Sequence, residues 1–309
     1  MGWPSGGLIS GRFFGITTGE LRSRRFNHST ILHWHGWHHQ RHAGEVDPAA
    51  PLPCTSLQLH RFAAPAPLWT ALVDVLEQEL RQHLSPGATA RPLGLATGRT
   101  MEPVYAALVA RLQGWSGPDR QRLRAVWCSY NLDEYLGLKA GDPRSYRQFM
   151  AEQLAKPLQL PEGAVRLPDG QAADAVAEAR SYAESLQAAG GVGLQLLGLG
   201  ANGHVGFNEP PCDRQQPCRV VALSEATRSQ NAGLFAGDPS AVPGRAITLG
   251  LVEILAAREV HLVVTGRAKA EVLRRLLELR QPDPALPASW LLLHPRVQLW
   301  ADAEALSLA

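Results

Sequence analysis

The segment from Leu194 to Pro210 constrains the fold of this chain more than any other. An apolar run, Leu194 to Leu199, ends in glycines and opens at once into a loop holding Asn202, His204, Asn208 and Glu209. A strand buried on both faces needs apolar residues at successive positions, which is the pattern of a covered parallel sheet. Gly198, Gly200 and Gly203 let the backbone turn sharply and approach a ligand. In open α/β sheets the ligand crevice lies beyond the carboxyl ends of the strands, where this loop would sit. A histidine five residues from a carboxylate, placed there, has the makings of acid/base machinery. The bland alternative for His204 is a hydrogen-bonded loop histidine.

From Leu57 onward the pattern is regular. Leu57 to Phe62 alternates like an edge strand, and Leu68 to Leu84 carries apolar residues at helical spacing. Pro92 to Thr97 reads as a strand, Glu102 to Leu112 as a helix and Leu123 to Ser129 as a further strand. A loop and a helix over Tyr146 to Leu154 come next, then an alanine-rich helix over 172–189 leading into the Leu194 strand. Later strands are expected at 219–223, 245–249, 259–265 and 296–300. Strands alternating with helices imply a three-layer α/β/α, mostly parallel, doubly wound, Rossmann-like sheet. Without an internal repeat or a clean linker after residue 57, the reading is one domain over 57–309.

Residues 1–56 differ. They mix Gly, Pro, Arg and Trp with six of the eleven histidines and hold no sustained period. The tract His33, His35, His38, His39 and His42 could hold a metal, but no carboxylate or cysteine completes it in a periodic segment. A poorly ordered extension, or translation from a misassigned start, is the expectation, and the segment is no convincing signal peptide.

Composition excludes several classes. With a formal net charge of +2 the chain is not a dedicated nucleic-acid binder on bulk electrostatics. No run of about 18 uncharged apolar residues is present, which argues against a membrane span. Cys54, Cys128, Cys212 and Cys218 form no C-x-x-C pair, so a reduced, cytoplasmic protein is expected.

Two further segments carry chemistry. Thr97-Gly98-Arg99-Thr100 follows a strand and precedes a helix, where backbone N–H groups bind anions. An ordinary turn with Thr100 as N-cap fits the spacing equally well. Asn131-Leu132-Asp133-Glu134-Tyr135 also follows a strand end. Its adjacent carboxylates could abstract a proton beside a carbonyl or imine, or could cap the next helix. His294 closes an apolar run and reads as a core or capping histidine, outside the catalytic set.

Taken with Leu93–Thr100, Tyr130–Leu138, Ser145–Met150, Ala246–Gly250, Gly266–Lys269 and Pro287–His294, the Leu194–Pro210 segment resembles the glucosamine-6-phosphate deaminases. They are the amino-sugar-phosphate branch of a superfamily that includes 6-phosphogluconolactonases. The blocks occur in family order and cover roughly residues 57 to 301.

The resemblance implies conversion of glucosamine 6-phosphate and water to fructose 6-phosphate and ammonia, with galactosamine 6-phosphate as the alternative substrate. It makes Asp133 the base for enolisation, His204 the group that assists ring opening, and Glu209 the carboxylate paired with it. Asn202 stands where some members carry aspartate, which implies a less basic imidazole than theirs. Thr97, Gly98, Arg99, Thr100, Arg228 and Lys269 are the implied phosphate contacts, although the family usually has a small residue where Arg99 stands. On its own Lys269 would read as a solvated surface lysine. No metal or cofactor is implied. The partner is a small amino-sugar phosphate, and the chain is a monomer or a homo-oligomer. A non-catalytic sugar-phosphate sensor is the alternative of another class. It would expect a helix-turn-helix ahead of the fold, and residues 1–56 lack that periodicity. Hyperbolic kinetics are expected, because Pro211–Ala222 resembles the effector-binding residues of allosteric relatives only at Arg219 and the chain stops soon after Asp302.

Overall fold

The computed structural model describes residues 57–87, 89–139 and 141–309. The extension read at residues 1–56, with its histidine tract and Cys54, lies outside the described residues. In chain order the described strands are β1 (Leu57–Phe62), β2 (Leu93–Leu95), β3 (Ser129–Asn131), β4 (Asp133–Tyr135) and β5 (Val165–Arg166). Then come β6 (Leu194–Gly198), β7 (Arg219–Ala222), β8 (Arg245–Thr248), β9 (Glu259–Val264) and β10 (Val297–Asp302). Seven of them form one sheet in the order β1-β10-β9-β6-β2-β3-β5, and every pairing in it is parallel. Helices flank this sheet, as the alternation of elements implies.

Local sequence explains the main helices. Pro65–His83 takes proline in its first turn and buries Leu68, Leu72, Val73, Leu76 and Leu80. That i, i+4 stripe packs toward β10 and the helix Glu102–Gln113. Each fully buried leucine contributes about 2 kcal/mol of apolar transfer free energy. Ala175–Ala188 is started by Asp174, whose carboxylate accepts from the Val176 and Ala177 N–H groups.

Three expectations are corrected. Leu123 to Ser129 is not a strand: Gly117–Val126 is a helix, and β3 starts only at Ser129. Ser116 caps that helix by accepting from Asp119 N–H, Pro118 sits in its first turn, and Leu123 is its one buried residue. The helix expected over Tyr146–Leu154 is α-helical only to Met150. It then widens into a π-helical turn, Ala151–Ala155, and closes with one α-turn at Lys156–Leu158. Lastly, β7 and β8 do not join the parallel sheet. They form a separate antiparallel sheet with β4, in the order β4-β8-β7.

This second sheet fixes the backbone around Asp133. Asp133 pairs with Thr248, Leu132 N–H donates to Leu95 O at 3.0 Å, and Leu249 N–H donates to Leu132 O at 2.7 Å. The segment is therefore gripped by β2 on one side and by β8 on the other. Glu134, buried beside Asp133, accepts from the N–H groups of Tyr135, Tyr146 and Arg147 at 2.9, 3.0 and 2.7 Å. It thereby caps the helix that begins at Tyr146, where a carboxylate also suits the positive end of the helix dipole. Replacing it (Glu134→Ala) strands these buried donors and should cost about 3 kcal/mol of stability. A urea midpoint within experimental scatter of the parent would contradict that assignment.

Candidate active site

The chain passes from β2 to β3 and β5 on one side of the sheet, and from β6 to β9 and β10 on the other. The direction of winding thus reverses between β2 and β6, which are neighbours. Loops leaving adjacent strands at such a point diverge and leave a crevice. A cavity of about 390 Å³ occupies it, lined from four adjacent strand ends. The loop after β2 supplies Thr97 to Thr100, the start of β4 just past β3 supplies Asp133, the loop after β6 supplies His204, and the loop after β9 supplies Lys269.

The glycine-rich loop is shaped around its histidine. Gly200 N–H donates to His204 O at 2.9 Å, and Gly203 N–H donates to Gly200 O at 3.0 Å. A methyl group built on Gly200 would overlap the His204 ring, so only glycine lets the imidazole lie flat over the backbone. Gly206 holds φ at +58°, and a methyl there would lie 3.3 Å from Asp133 Oδ2 and 3.1 Å from Thr248 Oγ1. The loop therefore runs directly against the carboxylate. Phe207 N–H donates to Thr248 Oγ1, and the Asn208 amide donates to Val205 O and Leu249 O. These bonds stitch the loop to β8.

Asp133 is buried. Burial raises its pKa well above the usual aspartate range, and the charge of Glu134 adds to the rise. The two neighbours have opposite fates. Glu134 is saturated by backbone donors, while no side-chain hydrogen bond to Asp133 exists among the described residues. A carboxylate without donors, facing a cavity, is the stronger base of the two.

His204 is also buried, and Asn202 Oδ1 lies 2.7 Å from its Nδ1. Asn202 Oδ1 also accepts from the His204 backbone N–H at 3.3 Å. With that oxygen accepting, Nδ1 carries the proton and Nε2 keeps its lone pair. Burial pulls the imidazole pKa down to about 4; the Glu209 charge opposes this and the Lys269 charge reinforces it. At neutral pH the ring is an uncharged base. Lys269 makes no ion pair among the described residues, and its pKa is lowered by burial and then by Arg99.

Asp133, His204, Thr97, Gly98, Arg99, Thr100 and Lys269 are brought together on the cavity wall. Asn202 stands behind the imidazole. Two residues depart from the sequence reading. Glu209 does not hydrogen-bond His204; its Oε1 accepts from Ser224 N–H at 3.1 Å, leaving only a through-space influence on the ring. Arg228 does not reach the cavity, because its guanidinium donates to Val242 O at 3.2 Å and Ser240 O at 2.9 Å. Nor does Thr100 cap the next helix, whose N-cap is Met101. Tyr146, Phe149, Phe207, Gln230, Asn231 and Glu102 also line the cavity, without a role in the sequence reading. Tyr146 and Phe149 fall within the Ser145–Met150 block. Gln230 and Asn231 carry no sequence signal, since their helix, Glu225–Asn231, reaches the cavity only through tertiary packing.

The model of glucosamine-6-phosphate isomerases and 6-phosphogluconolactonases matches residues 63–300. The glucosamine-6-phosphate deaminase of Shouchella clausii (strain KSM-K16) is 41% identical over 215 residues, which are 70% of this chain and 84% of that protein. The glucosamine-6-phosphate deaminase of Rhodopirellula baltica is 43% identical over 218 residues, 70% of this chain and 83% of the relative. Among solved structures, a monomeric glucosamine-6-phosphate deaminase matches with a TM-score of 0.73 at 32% identity, over 82% of this chain and 100% of that one. The 6-phosphogluconolactonase from Trypanosoma cruzi shares the fold, with a TM-score of 0.62 at 21% identity over 81% of this chain and 96% of its own.

Because burial lowers the imidazole pKa, His204 should stay uncharged as pH falls from 7 toward about 4. Asn202→Asp places a carboxylate against Nδ1, favours the charged ring and should raise the midpoint. Nitrogen chemical shifts of the ring followed through a pH titration test both statements. A parent midpoint near 6.5, or an unchanged midpoint in the variant, would refute them.

Proposed function

The chain belongs to the family of glucosamine-6-phosphate isomerases and 6-phosphogluconolactonases, and from that premise we propose that it converts glucosamine 6-phosphate and water to fructose 6-phosphate and ammonia. The observation that carries this reading is one cavity holding a bare buried carboxylate, an uncharged imidazole and a lysine ammonium.

The chemistry arises from those three groups. Lys269 and the backbone N–H groups after β2 hold the phosphate, leaving the sugar head toward Asp133 and His204. His204 Nε2 takes the proton of the C1 hydroxyl; the ring oxygen receives a proton as its bond to C1 breaks, and the open-chain aldehyde results. Asp133 then removes the proton from C2. The electron pair moves into the C1–C2 bond and the carbonyl oxygen takes up a proton, giving an enolamine. The same carboxyl group returns its proton to C1, leaving an iminium at C2 that adds water and expels ammonia. Asn202 keeps the imidazole in the tautomer this sequence of steps needs. Glu209 contributes charge without touching the ring.

A sugar-phosphate sensor would need the phosphate cradle but has no use for a carboxylate deprived of hydrogen bonds. Holding Asp133 in that condition destabilises the folded protein whenever it is ionised, so its presence favours turnover over binding alone. Phosphorylated sugars carry charge that keeps them from crossing lipid, which supports a cytoplasmic setting for the proposed activity.

Ammonia release from glucosamine 6-phosphate, compared with galactosamine 6-phosphate, tests the reaction and the epimer together. Asp133→Asn should lower kcat by about 10³ or more while substrate still binds, in line with loss of a general base. Since the base works ionised and burial raises its pKa, kcat/KM should fall with acid at a pH above the ordinary aspartate range. Undiminished turnover by the variant would remove Asp133 from the mechanism.

A further inference from the structure

A second cavity, of about 560 Å³, lies at the end of the sheet opposite the active site. Leu194 opens β6, Glu259 opens β9, and Arg258 and Arg296 precede β9 and β10; all four line it. Its floor holds His261, which is 1% exposed, and the buried Trp300. The Trp300 indole N–H donates to His261 Nδ1 at 3.0 Å. An indole nitrogen can only donate, so Nδ1 accepts and the neutral imidazole carries its proton on Nε2. That N–H makes no hydrogen bond among the described residues, because Glu259 Oε1, 3.3 Å away, is out of line with it. A buried donor without an acceptor costs free energy, and an oxygen entering the cavity recovers it.

The charges around this space narrow what the oxygen can belong to. Glu79 and Glu259 face it and disfavour an anion, while Arg258 and Arg296 face it and disfavour a cation. A zwitterion needs a free carboxylate for its ammonium group, yet Glu79 is held by Arg258 and His83, and Glu259 lies against His261. An apolar molecule would strand the His261 donor together with the amides of Gln78, Gln82 and Gln298. An uncharged molecule with several hydroxyl groups meets every condition, since each hydroxyl both donates and accepts. We propose that this cavity binds a small uncharged polyol of monosaccharide size, one of whose hydroxyl oxygens accepts from His261 Nε2–H. The volume is within the range of small-molecule sites. Arg296 forms no ion pair or side-chain hydrogen bond among the described residues and supplies a further donor at the rim. The His60 ring stacks on Trp300 with centroids 4.3 Å apart, and its Nε2 donates to Gln298 Oε1 at 2.6 Å. That fixed, flat ring gives the carbon skeleton of the polyol a surface to lie on.

Titration of the full chain with D-glucose and with myo-inositol, followed by NMR, tests the site. The Trp300 indole N–H resonance, assigned by its loss in Trp300→Phe, should shift saturably with a Kd on the order of 1 mM for at least one of the two. Arg296→Ala, at an exposed position that the fold does not depend on, should raise that Kd about fivefold, and His261→Leu about tenfold. The absence of a saturable shift with either polyol overturns the proposal, as does an equal Kd in the parent and Arg296→Ala. A tighter response to sodium sulfate or to L-serine than to the polyols also overturns it, in favour of an anion or a zwitterion.

Discussion

Among the described residues the buried Asp133 carboxylate is given no hydrogen-bond donor, and the rest of the site is organised around keeping it so. A carboxylate out of water seeks hydrogen bonds, and the next residue shows what that looks like: Glu134 takes three backbone N–H groups. Adjacent residues on a strand face opposite ways, so one acid is turned into a helix terminus and the other into the cavity. The bare acid stays in place because its backbone has little freedom. Leu132 is held by β2 and by Leu249, and Asp133 itself is paired with Thr248. A desolvated carboxylate stores free energy that a loop could release by relaxing; two sheets prevent that.

Convergence does the remainder. The four strands β9, β6, β2 and β3 are consecutive neighbours in the sheet, and all point the same way. Their carboxyl ends therefore open on a common rim, and residues far apart in sequence meet there without long connecting loops. Neighbouring strands lie about 4.8 Å apart, so the rim from the end of β9 to the end of β3 crosses three spacings, about 14 Å. The arrangement separates holding from chemistry. Cations stand at the loops after β9 and β2, while the acid lies just past β3, at the start of β4, and the imidazole just past β6.

Much of the architecture is legible in the residues, and the misreadings have physical causes. Leu57–Phe62 shows its edge position in its alternation, and Leu194–Gly198 shows burial on both faces. The stripe from Leu68 to Leu80 could hardly be anything but a helix. The run Leu123 to Ser129 misleads because its apolar residues match a short strand, while the Ser116 cap that starts a helix lies well ahead of them. The antiparallel sheet escapes a local reading because β4 is three residues long and pairs with a partner distant in sequence. Site residues show the same divide. Backbone-borne features such as the turn after β2 and the glycine-rich loop can be read locally. Side-chain direction cannot: Arg228 turns toward Ser240 and Val242, and Glu209 toward Ser224, for reasons set by tertiary packing.

The contact between Glu209 and Ser224 has a mechanical side. Ser224 is the N-cap of the helix Glu225–Asn231, so Glu209 grips one end of that helix while Gln230 and Asn231 at the other end border the cavity. Gln230 in addition accepts from Ala201 N–H, in the same loop as His204. The short helix therefore ties the cavity rim to the Glu209 carboxylate, whose charge reaches the imidazole through space rather than through a hydrogen bond.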